Sequence, residues 1–259
     1  MLTSLSFSKY HGAGNDFLLF DDWEEMFPES NGALIASLCD RKTGVGADGL
    51  ILARKGVQSE FSMLYFNSDG SPAPLCGNGL RCLGAHLKSL GRVDRSCQVE
   101  TGAGLLTVKW KKEKIFTQFP LIKQEGSFID TGAPHLVIFS SDLEKENVLS
   151  EGRRVRSLPC FAPSGVNVTF IQLLAPGEIG ARFYERGVED ETLACGTGAM
   201  AGAIAAARQQ GWKGAIGVTT RSKARFEAFV GEEFWLSGPA VKVFEGVVNV
   251  AGVFQKTAG

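Results

Sequence analysis

The strongest constraint on this chain is that it repeats itself. Cys76-Gly77-Asn78-Gly79 recurs as Cys195-Gly196-Thr197-Gly198, an offset of 119 in a chain of 259 residues. The offset extends beyond the motif. Gly46-Ala47-Asp48 falls on Gly165-Val166-Asn167, Tyr65 on Tyr184, Val99 and Thr101 on Val218 and Thr220, and Pro120 and Lys123 on Pro239 and Lys242. The apolar run Phe17 to Phe20 falls on Leu136 to Phe139. A constant offset across most of each half is the signature of a duplicated unit. Two homologous domains related by a pseudo-twofold axis are expected, residues 1–119 and 120–240, with 241–259 returning to the first.

Within each copy the elements read alike. Phe17 to Phe20 and Leu136 to Phe139 are short apolar runs of the kind that form buried strands. Met63 and Tyr65, and likewise Ala181 and Phe183, alternate like half-exposed strands, and Asn67-Ser68-Asp69-Gly70 signals a turn. One prominent helix follows each cysteine motif: Leu80 to Ser89 closed by Gly91, and Ala199 to Gln210 closed by Gly211. Strand-rich segments come next, Gln98 to Trp110 and Gly217 to Phe229. Each half is strands, a helix, then strands, which is α+β and not alternating βαβ.

Charge and composition exclude several classes. A net charge of −1 leaves no electrostatic footprint for nucleic acid or an anionic membrane. The basic cluster Lys109, Lys111, Lys112 and Lys114 is broken by Trp110 and Glu113 and reads as a solvated strand end or turn. No apolar stretch reaches about 18 residues, so no transmembrane helix is expected. The Ala-rich run Ala199 to Ala207 reads as a buried helix. Met1 to Gly12 lacks the charged start and apolar run of a signal peptide, so a cytoplasmic location with reduced thiols is expected for the six cysteines. None of them forms a C-x-x-C pair and there are only three histidines, so no metal site is expected.

The two cysteine motifs are where chemistry is expected. A glycine-flanked helix start presents backbone N–H groups and about half a positive charge to a ligand, which suits a carboxylate. A cysteine at that position is expected to have a depressed pKa. Two such thiols on opposite faces of one α-carbon, with two helix starts on its carboxylate, could invert the centre. One would remove a proton and the other deliver one, with no cofactor as electron sink. A lone buried cysteine usually does no more than pack, and Cys39, Cys82, Cys97 and Cys160 are read that way. Symmetric placement of Cys76 and Cys195 argues against packing for that pair.

On these residues the chain resembles the diaminopimelate epimerases, pyridoxal-phosphate-independent enzymes that interconvert LL- and meso-diaminopimelate for lysine and peptidoglycan precursor synthesis. The resemblance covers nearly the whole length. It rests on Phe7 to Phe17 (FSKYHGAGNDF), Gly44 to Gly49 (GVGADG), Phe66 to Ser71 (FNSDGS), Tyr184 to Gly187 (YERG), Ala194 to Gly198 (ACGTG), Gly238 to Val241 (GPAV) and the first cysteine motif. Proline and hydroxyproline racemases are expected to show Cys-Gly-His at that motif instead. The resemblance implies two domains, each a barrel-like antiparallel or mixed sheet around a central helix, with the active site in the cleft between them. It implies Cys76 and Cys195 as acid and base, with Asn15, Asn67, Gly77, Asn78, Asn167, Glu185, Arg186, Gly196 and Thr197 on the substrate. It further implies His135 and Glu185 as groups that tune the thiols. No cofactor is implied, the partner is a small amino acid, and a homodimer is allowed.

The chain departs from the family pattern at Gly49, where Gln is usual, and at Ala133, where Asn is usual. It departs also at Phe244, where a Tyr associated with dimer contacts is often found. Two lost polar contacts would broaden or shift the substrate toward other amino acids such as glutamate. A reading of a different class is a redox-switched binding protein that uses the same two cysteines as a reversible disulfide.

Overall fold

The computed structural model describes residues 4–250. Residues 1–3 of the segment read for a signal peptide, and 251–259 of the expected C-terminal return, lie outside the described residues. The chain runs β1 (Ser4–Gly12), β2 (Asn15–Asp21), α1 (Gly32–Cys39), β3 (Gly49–Lys55), β4 (Phe61–Asn67), β5 (Pro72–Ala73), α2 (Gly77–Ser89), β6 (Ser96–Thr101) and β7 (Gly104–Lys111). It continues through β8 (Lys114–Phe119), β9 (Lys123–Glu125), β10 (Phe128–Asp130), β11 (Pro134–Phe139), α3 (Val148–Arg156), β12 (Asn167–Ala175) and β13 (Glu178–Glu185). Last come β14 (Asp190–Thr192), α4 (Gly196–Gln210), β15 (Gly214–Thr220), β16 (Arg225–Val230), β17 (Phe234–Ser237) and β18 (Val241–Asn249). Two compact units result: one holds the chain up to Ile115 and again from Ala240, the other Phe116–Pro239.

In the first unit the strands pair in the order β18–β1–β2–β3–β4–β6–β7. In the second the order is β9–β10–β11–β12–β13–β15–β16–β17, with residues 116–119 of β8 on the outer side of β17. Both mixed sheets carry parallel pairs at the same places, β2–β3 and β4–β6 in one, β11–β12 and β13–β15 in the other. The remaining neighbours are antiparallel.

Each sheet wraps its own helix. The α2 helix packs on β1, β2, β3, β4, β7 and β18, and α4 on seven strands from β10 to β17. In β2 the period of two divides the apolar run between two cores. Phe17 and Leu19 face α2 with Ile51, Leu80, Leu83 and Val108, while Leu18 and Phe20 face α1 with Leu34, Ile35 and Leu38. Burial of each such side chain contributes roughly 1.5–3 kcal/mol. An encircled helix must also be thin. A Cβ on Gly198 would come within 2.6 Å of the Phe183 ring, and one on Gly202 within 2.8 Å of Ile171, so bare glycines and alanines let the strands close around α4.

Four departures from the sequence expectation have local causes. Both central helices begin three residues early, at Gly77 and Gly196, because the cysteines themselves cap them. Each half also carries a second, shorter helix, α1 or α3, on the outer face of its sheet. The run Leu136 to Phe139 is not uniformly buried: Val137 is, whereas Phe139, the last residue of β11, is exposed at the strand end. Conversely β13 does not alternate; Ile179, Gly180, Ala181, Phe183 and Tyr184 are all buried between α4 and α3. The helix ends follow the glycines. Gly91 and Gly211 both have φ of 68°, the left-handed conformation that ends a helix without Cβ strain. Among the described residues, no helix is long and apolar enough to cross a membrane.

Candidate active site

In the first unit, Cys76 is the N-cap of α2. Its backbone is extended, and its sulfur accepts a hydrogen bond from the Gly79 N–H at 3.4 Å. The thiol lies 3.7 Å from the Asn15 side-chain oxygen at the start of β2. That same oxygen accepts from Asn78 Nδ2 at 3.2 Å. Asn78 Oδ1 in turn accepts from Arg81 Nη2 at 2.5 Å, and Arg81 Nη1 reaches the Gly77 carbonyl at 3.4 Å. Arg81 is fully buried, which lowers its pKa to about 10, and it remains protonated at neutral pH. Asn67 stands at the end of β4 and donates to Ser71 Oγ at 3.1 Å, inside its own turn.

A group of charges stands behind Asn15. Its Nδ2 donates to Asp48 Oδ2 at 3.0 Å, and Arg41 bridges Asp48 Oδ1 and Asp16 Oδ1 at 2.7 and 2.6 Å. Burial opposes charge on Asp16, but hydrogen bonds from Arg41 and Lys9 hold its carboxyl at about 2. Gly49, expected to lack a side chain that reaches into the site, is backed by Tyr65. A Cβ at this position would lie 2.6 Å from the Tyr65 ring and 2.7 Å from the Phe66 carbonyl oxygen.

The second unit repeats the helix start with different neighbours. Cys195 is the N-cap of α4 and its sulfur accepts from the Gly198 N–H at 3.4 Å. The Thr197 hydroxyl lies 3.3 Å from that sulfur and 2.9 Å from His135 Nε2, while His135 Nδ1 meets Thr169 Oγ1 at 2.9 Å. Burial, with the Arg186 charge adding to it, pushes His135 down to about 3, so the imidazole is neutral. The ring is linked to the thiol through the Thr197 hydroxyl. Asn167 accepts the Arg186 backbone N–H at 2.9 Å, and the half-exposed Arg186 guanidinium donates to the Ser164 carbonyl at 3.3 Å. Glu185 accepts from the Thr192 hydroxyl.

The expected depression of the thiol pKa does not hold at Cys195. Burial raises it well above the usual thiol range, and the charge of Glu185 and a hydrogen bond with its carboxylate raise it further. Bonds from Thr197 and Gly198 oppose this and are outweighed. A helix start lowers a thiol pKa only where water still reaches the sulfur. Burial likewise raises the Cys82 thiol and takes Cys39 and Cys97 up to about 12, whereas Cys160, expected to pack, is exposed. None of the six cysteines forms a disulfide. Among the described residues, no group of three or more His, Cys, Asp or Glu side chains could hold a metal ion.

Sequence reasoning missed Asp48, Arg81 and Thr169. The repeat carried a signal for two positions in this network: Asp48 and Asp16 lie one offset before Asn167 and His135, both of which were singled out.

The family model described as diaminopimelate epimerase matches residues 7–118 and 127–228. A protein named diaminopimelate epimerase from Flavobacterium psychrophilum is 37% identical, the match covering 93% of this chain and 98% of that protein. Another of that name from Aquifex aeolicus is 38% identical, with coverage of 93% and 97%. Among solved structures, a hydroxyproline epimerase from Agrobacterium vitis aligns with a TM-score of 0.69 at 13% identity, over 96% of this chain and 92% of that one. A Bacillus anthracis protein of the PhzF phenazine biosynthesis family aligns with a TM-score of 0.71 at 14% identity, over 95% and 99%. At such identities these two structures bear on the fold alone.

Proposed function

The chain belongs to the diaminopimelate epimerase family, and from that premise we propose that it interconverts LL- and meso-2,6-diaminopimelate by exchanging an α-proton between Cys76 and Cys195. The observation that carries this reading is the shared construction of the two helix starts. Each cysteine caps a buried helix, takes an N–H bond from the residue three places on, and stands one repeat length from the other.

The chemistry follows from that construction. One thiolate takes the α-proton, so an S–H bond forms as the C–H bond breaks. The electron pair left on carbon spreads onto the adjacent carboxylate. N–H groups of the first helical turn have no carbonyl four residues back to bond, so those of Gly77, Asn78, Gly196 and Thr197 suit the charge that develops on those oxygens. Removing one such donor typically costs about 2.7–4 kcal/mol of transition-state stabilisation. The other thiol then gives its proton to the opposite face of the carbon and is left as thiolate. The centre has inverted and the two sulfurs have exchanged protonation states, ready for the reverse reaction.

Asn15, Asn67, Asn167, Glu185 and Arg186 are proposed to hold the amino and carboxylate groups of the substrate. Arg186 suits a carboxylate because its fork can engage both oxygens. Such a reaction belongs with cytoplasmic amino-acid biosynthesis. The test is conversion of LL-diaminopimelate to the meso isomer, followed by chiral chromatography for the native protein and for Cys76→Ser and Cys195→Ser. Turnover by the native protein and its loss in both variants is expected. Full turnover by either variant would refute the pairing.

A further inference from the structure

We propose that Asp48 and Arg81 are positioning residues that fix which way the Asn15 amide faces, and so hold Cys76 as a thiol in the free protein. The inference rests on the reading of Cys76 as one of the reacting pair, and it concerns five side chains of one unit, Arg81, Asn78, Asn15, Asp48 and Cys76.

These side chains form a hydrogen-bond chain whose direction is set at both ends. An arginine can only donate and an ionised carboxylate can only accept. Arg81 donates to Asn78 Oδ1, which leaves Asn78 Nδ2 to donate to Asn15 Oδ1. At the other end Asp48 Oδ2 accepts from Asn15 Nδ2 at 3.0 Å and also from the Asp16 N–H at 3.2 Å. Asp48 is itself held by Arg41, and its backbone N–H donates to Asp16 Oδ1 at 3.0 Å. Neither amide can turn over without placing donor against donor or acceptor against acceptor.

Asn15 therefore presents its carbonyl oxygen, and not its NH2, to the Cys76 sulfur. A carbonyl bonds a thiol, which has a proton to give, and has nothing to offer a thiolate. The same oxygen suits the ammonium group of an amino acid, which also only donates. In the second unit Cys195 meets different groups: a threonine hydroxyl, which can turn to donate or accept, and the Glu185 carboxylate.

The test is the pH dependence of Cys76 alkylation by iodoacetamide, read by mass spectrometry of the Cys76 peptide. This readout needs no turnover, so a protein that failed to epimerise diaminopimelate would still report on it. Asp48→Asn replaces an acceptor-only end by a weaker acceptor that can also donate, and the Cys76 midpoint is expected to fall by about half a pH unit. Asp16→Asn neutralises a carboxylate of the same cluster that makes no bond to the Asn15 side chain, and should move the midpoint much less. An equal shift in both variants, or none in Asp48→Asn, would overturn the proposal. If Asp48→Asn does not fold, NMR of the native protein decides. The Asn15 side-chain NH2 should show a nuclear Overhauser effect to the Asp16 amide proton, with which it shares Asp48 Oδ2. Such effects to the Cys76 β-protons instead would refute the orientation.

Discussion

Lowering the pH from 7 to 5 should cost the folded protein about 2 kcal/mol through His135 alone. In the unfolded chain this imidazole titrates at its ordinary value of 6.5, but in the fold, burial and then the Arg186 charge hold it at about 3. The folded pKa of this base is depressed, so the unfolded state binds more protons between these two values and stability rises with pH across that window. The contribution is complete above about 6.5, is lost progressively as pH falls, and levels off below about 3. At 1.36 kcal/mol per unit, the loss at pH 5 is about 2 kcal/mol. Urea unfolding of the native protein and of His135→Gln, each at pH 7 and pH 5, isolates it. The variant gives up the bonds to Thr169 and Thr197 and should be less stable at pH 7. Its loss between pH 7 and 5 should nonetheless be about 2 kcal/mol smaller than that of the native protein. Equal losses would refute the argument that His135 is kept neutral by the fold.

Two further outcomes follow from the packing and charges at the site. Burial first and Glu185 second raise the Cys195 thiol, so Glu185→Gln should lower its alkylation midpoint, as read on the Cys195 peptide; an unmoved midpoint would assign the shift to burial alone. Gly49→Ala should destabilise the protein by about 1–3 kcal/mol in chemical denaturation, because the new methyl meets the backbone oxygen of Phe66 as well as the Tyr65 ring. A change within a few tenths of a kcal/mol would show that β3 and β4 part easily there.

The parts of this molecule legible in the sequence are those set by local pattern. The 119-residue offset aligns β2 with β11, β4 with β13 and α2 with α4, and the glycines at 91 and 211 end their helices as expected. The helix starts were placed too late because Gly77 to Gly79 is a poor helical segment by propensity. In the fold, cysteine caps and surrounding strands outweigh that preference. What remained hidden depends on the third dimension. The raised Cys195 pKa comes from enclosure by the fold and from Glu185, ten residues earlier at the end of β13. Arg81 stands between Leu80 and Cys82 with no motif to mark it, and the fold buries it fully behind Asn78. Asp48 follows the glycine turn as an ordinary loop acid does, and only the pairing of β2 with β3 brings it to Asn15.

The central claim, that two thiols and not one move the proton, is tested most directly by where deuterium goes in the first turnovers. LL-diaminopimelate is incubated with the protein in D₂O and both isomers are analysed before equilibrium. With two bases the delivering thiol has already exchanged with solvent, so the meso product should carry α-deuterium while the remaining LL substrate keeps its proton. Protium retained in the product, or deuterium appearing in the unreacted LL isomer as fast as in the product, would mean that a single group serves both faces and would contradict the account.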